Sequence, residues 1–246
     1  MKLATVVLAL TLLAQPTTSA AGPKRTLLIG QGPDNHAWSL HEYMAGQRIL
    51  AQLLQRVPGV QTIVVRADGA WEKGPELLDG ADAAVVFVSE GAKWVTSDAA
   101  RLAAFRRLAK RKGGLAVLHW GMGTREPEPI AKFVALFGGC HGGPDRKYKV
   151  VATKATPTDH RATTGLEPFQ IRDEFYYRLK FAKPAPTPLL RVSIDDEDHT
   201  VAWAWDRPDG GRCFGFPSAD GKACNSCLPF AKNFNKARAH AFKTWE

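Results

Sequence analysis

Residues 113–123, "GGLAVLHWGMG", read as a buried strand that runs directly into a glycine-flanked corner. Leu115, Ala116, Val117 and Leu118 follow one another with no polar residue between them, the pattern of a strand covered on both faces. Many α/β enzymes hold a Ser or Cys nucleophile at such a strand-to-helix corner. Here the corner carries His119 and Trp120, and neither nucleophile lies within it. The stretch has the geometry of an active-site corner without its nucleophile, and the question is what chemistry, if any, is left to it.

Outward from it, the same kind of strand recurs. "KRTLLIGQG" (24–32) is a first strand opening into a glycine loop, "VQTIVVR" (60–66) a second and "ADAAVVFVS" (81–89) a third, which makes "GGLAVLHW" (113–120) the fourth. Helical spacing separates them. Met44, Ile49, Leu50, Leu53, Leu54 and Val57 form one apolar face, stopped by Pro58-Gly59. In "SDAARLAAFRRLAKRK" (97–112), Ser97 is the expected N-cap, with Leu102, Phe105 and Leu108 inward. Apolar strands alternating with helices predict an α/β fold built on a parallel sheet with helices on both faces. After about residue 125 the rhythm changes. "EPEPIAKFVALFGG" (126–139) is a helix with Pro at its start and Gly at its end. Beyond it come the strand-like runs "KYKVVATKA", "FQIRDEFYYRLKF", "TPLLRVSI", "TVAWAW" and "GRCFGF", expected to extend the sheet, partly antiparallel, and to cover the ends of the first four strands.

Residues 1–20, "MKLATVVLALTLLAQPTTSA", have the charged start, short apolar core and small-residue end of a signal peptide. An exported chain, periplasmic or secreted, is expected, with no membrane span in the mature protein because no later segment is apolar for long enough. The net charge of +9 is spread along the chain. Its densest cluster, "RRLAKRKGG" (106–114), reads as the solvated face and last turn of a helix, and no aromatic-interleaved basic groove suits a nucleic acid. Of the four cysteines, Cys224-x-x-Cys227 can pair locally, while one such motif without a second pair is a weak zinc signal.

In an open parallel sheet the ligand crevice lies outside the carboxyl ends of the strands. Four segments should converge there. The first loop carries Asp34, Asn35, His36, His41 and Glu42; the third strand ends at Ser89-Glu90-Gly91; the fourth ends at His119-Trp120; and "PTDHRATTGLEPFQIRDEFYY" offers Asp159-His160, Asp173-Glu174, Tyr176 and Tyr177. Each has a plainer alternative. His36 can be a turn residue, His41-Glu42 a helix start, His119 a satisfied core histidine and Asp159-His160 turn chemistry. Two adjacent acids inside an aromatic strand, Asp173 and Glu174, are unfavourable for packing unless one faces a polar site. Histidines and carboxylates together suit metal binding, acid–base work or sugar binding, and Trp120, Tyr176, Trp203 and Trp205 suit the apolar face of a sugar ring.

The order of these landmarks resembles the ThuA-like (trehalose-utilisation) proteins, in their exported bacterial branch. The matching stretches are "HEYMAG" (41–46), "GADAAVVFVSEG" (80–91), "KGGLAVLHWG" (112–121), "DHRATTGLEPFQIRDEFYYRLKF" (159–181), "TPLL" (187–190) and "VAWAWDRPDGGRCFGF" (201–216). The resemblance implies a flavodoxin-like three-layer sandwich of the class I glutamine-amidotransferase-like type, with a mostly parallel central sheet, over a domain spanning 24–216. The amidotransferase cysteine would stand at the corner that His119 occupies, so glutaminase activity is not expected. The family association with sugar catabolism implies a protein that binds or processes a sugar or keto-sugar. On that reading His119 and Glu174 are the acid–base pair and Asp173 orients a neighbour, with His36, His41, Glu42, Trp120, His160, Tyr176 and Trp203 around the small-molecule carbohydrate. No cofactor is named by any motif, although a divalent metal such as zinc suits the ligand set. A non-catalytic carbohydrate-binding or interaction domain is the alternative. After Phe216 the chain departs from the family pattern: residues 217–246 lack the expected Gly-His step, through a change of reading frame or through divergence.

Overall fold

The computed structural model describes residues 22–36 and 41–216; the expected signal peptide and the atypical tail, with Cys224 and Cys227, lie outside the described residues. The first half comprises β1 (Lys24–Gly30), α1 (Tyr43–Leu54), β2 (Val60–Arg66), α2 (Gly74–Asp79), β3 (Ala83–Phe87), α3 (Gly91–Ser97), α4 (Ala99–Lys110) and β4 (Gly114–Leu118). A 3-10 turn, His119–Met122, follows. Then come β5 (Gly123–Thr124), α5 (Glu128–Phe137), β6 (Gly139–Gly142), β7 (Lys147–Pro157), β8 (Phe169–Tyr177), β9 (Lys180–Phe181), β10 (Thr187–Ile194), β11 (Glu197–Asp206) and β12 (Arg212–Phe216).

The nine-stranded sheet runs β2-β1-β3-β4-β12-β11-β10-β7-β8. Its first five strands are parallel to their neighbours and the rest pair antiparallel, which is the expected parallel core with an antiparallel extension. The apolar runs explain the layers. Successive side chains of a strand face opposite ways, so Leu28 packs beneath α1 with Ala51, Leu54 and Val85. Leu27 and Ile29 pack on the other side, in the core that includes Val95, Leu102, Phe105, Leu108 and Phe133. Burying a Phe or Leu side chain there contributes about 1.5–3 kcal/mol each.

Several local expectations are corrected. Ile49 is 52% exposed, whereas α1 turns Tyr43, Gln47, Ala51 and Leu54 inward. A buried glutamine hides this face from a search for apolar spacing; its amide donates to the carbonyls of Ile29 (2.8 Å) and Val85 (3.1 Å) and ties the helix to two strands. The N-cap of α4 is Asp98, which accepts the Arg101 N–H at 2.6 Å, while Ser97 closes α3.

The antiparallel half does not lie flat. Five strand spacings separate β8 from β4, about 24 Å in a flat sheet, yet the Tyr176 hydroxyl of β8 is 3.1 Å from the His119 ring at the end of β4. The register between β7 and β10 is limited to Pro157–Leu190 and Thr156–Arg191. Beyond that short seam the β7–β8 hairpin rolls back over the carboxyl ends of the parallel strands.

Candidate functional site

Three non-glycine residues at the carboxyl ends of the parallel strands have left-handed backbones: His41 (φ 53°), Glu90 (φ 43°) and His119 (φ 43°). Such conformations cost about 1–3 kcal/mol each and persist where the surroundings impose them. The His119 corner is pinned from behind. A Cβ on Gly91 would come within 2.1 Å of the Gly121 carbonyl, so the start of α3 approaches the corner as only glycine allows. Glu90, just before it, accepts the Arg125 backbone N–H at 3.1 Å and pairs with the Arg125 guanidinium.

The corner aims His119 at groups from two other segments. Its Nε2 lies 3.0 Å from His41 Nε2, 3.1 Å from the Tyr176 hydroxyl and 3.7 Å from Glu174 Oε1. His119 and His41 are buried and Glu174 is partly exposed. On its far side His41 presents Nδ1 to Asp34 Oδ2 at 3.3 Å. Asp34 also accepts the Tyr43 hydroxyl at 2.6 Å and the His36 backbone N–H at 2.9 Å, and its Oδ1 is 2.8 Å from the His36 ring. Burial raises the Asp34 pKa, but the bonds from Tyr43 and His36 outweigh it and hold the carboxyl well below the ordinary range. Burial first, then the Asp34 bond, pushes the Tyr43 phenol far up. Burial and the Glu174 charge do the same to Tyr176, so both phenols remain protonated donors.

Behind the cluster Tyr176 is sandwiched between two imidazoles, His119 at 4.5 Å and His141 at 4.0 Å between ring centroids. Trp120 meets both Tyr176 and His141 edge-on, with the Arg125 guanidinium over its ring. In front, a recess of about 230 Å³ is bordered by Asp34, His36, His41, Glu42, Tyr43 and Arg48. Two sets of side chains bring metal-ligand atoms within 4.8 Å of one another: Asp34, His36 and His41, and His41, His119 and Glu174.

The structure therefore brings His36, His41, Trp120, Tyr176, His119 and Glu174 into one neighbourhood, with the exposed Glu42 on the rim of the recess. Asp173 faces the opposite side of β8 from Glu174 and Tyr176, as strand alternation requires, and its carboxylate accepts the Glu174 backbone N–H at 2.8 Å. Two expected sugar-binding residues stand elsewhere. His160 accepts the Ala162 N–H at 3.0 Å and caps its own 3-10 turn, and none of its interactions is with the cluster. Trp203 is a core residue, wholly buried, donating to the Phe137 carbonyl at 3.0 Å and packing on Phe181. Tyr43 and His141 are neighbours of the site that reasoning from the sequence does not place there, although Cys140-His141 could be considered as metal ligands. Tyr43 sits in the helical pattern, and His141 in a Gly-rich run with no local motif.

A family model described as trehalose utilisation, ThuA, matches residues 34–220. Among solved structures, a protein described as ThuA-like from Bacteroides uniformis ATCC 8492 superposes with a TM-score of 0.65 at 16% identity, covering 93% of this chain and 94% of that one. A β-galactosidase from Rahnella sp. R3 has a TM-score of 0.52 at 14% identity, covering 90% of this chain but 31% of the enzyme. A cytoplasmic protein from Salmonella typhimurium, also at 0.52 and 14%, is covered over 98% of its length by 88% of this chain. At these identities the likeness is one of fold. No curated protein matches.

Proposed function

The chain belongs to the ThuA, or trehalose utilisation, family, and from that premise we propose that it is an exported protein that binds a sugar or keto-sugar at the carboxyl ends of the sheet and moves a proton on it. The observation that carries this reading is the convergence of the His119 and His41 rings, the Glu174 carboxylate and the Tyr176 hydroxyl within about hydrogen-bonding reach of one another beside an open recess. A ketone acidifies the C–H bond next to it. Glu174, the most accessible of the four, takes that proton, the C–H electron pair forms the new C=C bond as the carbonyl π pair moves to oxygen, and His119 or Tyr176 supplies a proton to that oxygen. Asp173 steadies the Glu174 backbone, and His36 and Glu42 at the rim meet sugar hydroxyls.

Glutaminase chemistry has no support. The described residues put no Ser or Cys at the corner, and the two described cysteines, Cys140 and Cys213, are buried thiols pushed up to about 12 by burial, so neither is a thiolate ready to attack an amide.

A thermal-shift screen of the purified mature chain against disaccharides and their 3-keto forms tests the reading, because a ligand of the native state raises the melting temperature by mass action. A shift with a keto-sugar, lost in His119→Ala, followed by Glu174→Gln that binds but does not turn over, is the expected result. Turnover surviving Glu174→Gln rules out the proton-transfer role. Binding without turnover in the parent leaves a carbohydrate-binding domain, and a cooperative melt that no sugar moves removes the carbohydrate assignment. N-terminal sequencing of the protein from the periplasm or medium, with cleavage expected near residue 20, tests export.

A further inference from the structure

We propose that His41, His119 and Glu174 hold a divalent first-row transition ion of the zinc type, with Asp34 as the carboxylate that orients His41.

The argument begins with the distances. Around a tetrahedral zinc ion with bonds of about 2.0–2.1 Å, neighbouring ligand atoms are about 3.3 Å apart. The two Nε2 atoms are 3.0 Å apart and His119 Nε2 is 3.7 Å from Glu174 Oε1, values that straddle that edge length, and all three donor atoms lie within 4.8 Å. They come from the first loop, the β4 corner and the rolled hairpin, so the match does not arise from local sequence. The orientation of His41 is the second observation. Asp34 accepts from Nδ1, which places the ring proton there and turns the Nε2 lone pair toward His119 and Glu174. A carboxylate behind a histidine in this way is the usual outer partner of a metal-bound imidazole, and Asp34 is itself fixed by Tyr43 and His36. The donor set is the third. Two imidazoles and one carboxylate suit zinc and its neighbours rather than magnesium or calcium, and three protein ligands leave a fourth position open to water or substrate.

This assignment goes beyond the sugar reading and does not depend on it. An ion held there would engage His119 and Glu174 as ligands, and it would supply Lewis acidity and an acidified water in place of the free side chains.

The test uses the untagged full chain carrying Cys224→Ser and Cys227→Ser, which removes a thiolate pair able to take zinc on its own. After dialysis against a chelator, titration calorimetry with zinc chloride is expected to give one tight equivalent, and cobalt(II) is expected to give visible d–d bands without a thiolate charge-transfer band. Glu174→Gln and His41→Ala are expected to lose the equivalent while keeping the far-ultraviolet dichroism of the parent. Asp34→Asn, which leaves all three ligands in place, is expected to weaken zinc binding about 10–100-fold. His199→Ala, which removes a histidine that is none of the three ligands, is expected to change nothing. A parent chain that takes up neither zinc nor cobalt overturns the proposal, as does an equivalent that survives in folded Glu174→Gln or His41→Ala, or full affinity in Asp34→Asn. Sugar binding by a parent chain that takes up neither zinc nor cobalt overturns the ion and leaves the sugar reading, and an ion bound with no response to any sugar does the reverse.

Discussion

Acid is expected to act on this fold through His141. Its ring lies parallel to Tyr176 at 4.0 Å, and its Nδ1 is buried with no hydrogen-bond partner among the described residues. Burial first, then the charges of Arg146 and Lys180, push its pKa from the ordinary 6.5 down to about 3. Between those values the unfolded chain carries the proton and the folded one refuses it, so stability falls as pH falls. The slope is about 1.4 kcal/mol per pH unit and the whole loss at most about 5 kcal/mol, a large fraction of the 5–15 kcal/mol of a typical domain. The assay is urea unfolding followed by tryptophan fluorescence from neutral pH to about pH 4, for the parent and for His141→Phe, which keeps the stack but cannot be charged. Other groups that titrate in acid, Asp34 and His160 among them, are common to both proteins and cancel in the difference. The parent should lose stability faster by about one proton's slope. Parallel curves, or a folded-state His141 resonance that titrates near its ordinary value, would refute the reasoning.

Three further outcomes follow from contacts already described. Gly91→Ala forces a Cβ onto the Gly121 carbonyl at 2.1 Å, and a thermal melt should register a loss of about 1–3 kcal/mol; an unchanged melt would mean that the corner relaxes freely. Gln47→Leu removes the amide that serves two strand carbonyls and should cost about 1–3 kcal/mol in chemical denaturation. Tyr43→Phe deletes the 2.6 Å bond to Asp34, worth about 1.5–3 kcal/mol at neutral pH. Because a depressed carboxyl stabilises above its ordinary range and loses that contribution as pH falls toward its folded value, the variant should also show a shallower acid limb.

What the sequence discloses and what it hides divide along the range of the interactions. Strands such as Leu27-Leu28-Ile29 are legible because burial on both faces leaves an uninterrupted apolar run. The inward face of α1 is not, because its central buried residue is Gln47, polar in composition and satisfied only by carbonyls of other strands. The short helices α2 and α3 carry too few turns to show a period. Histidine at an apolar strand end draws attention to His119, but its partners lie 78 and 57 residues away and meet it only because the hairpin rolls. Trp203 and His160 illustrate the opposite failure. An indole in an alternating strand and a histidine in a turn both look available to a ligand, until the core claims one and the turn's own N–H claims the other.

The rolled hairpin also sets a timetable. A chain made from its N-terminus completes β1 to β4, and with them His41 and His119, well before Glu174 and Tyr176 leave the ribosome, a delay of seconds at about 5–20 residues per second. Until then the corner holds two imidazoles with Asp34 behind them but neither Glu174 nor Tyr176, so a nascent chain can assemble most of its parallel core before the cluster closes. The four side chains can meet only once the second half of the polypeptide has been made, which ties the appearance of the cluster to the folding of the hairpin that completes it.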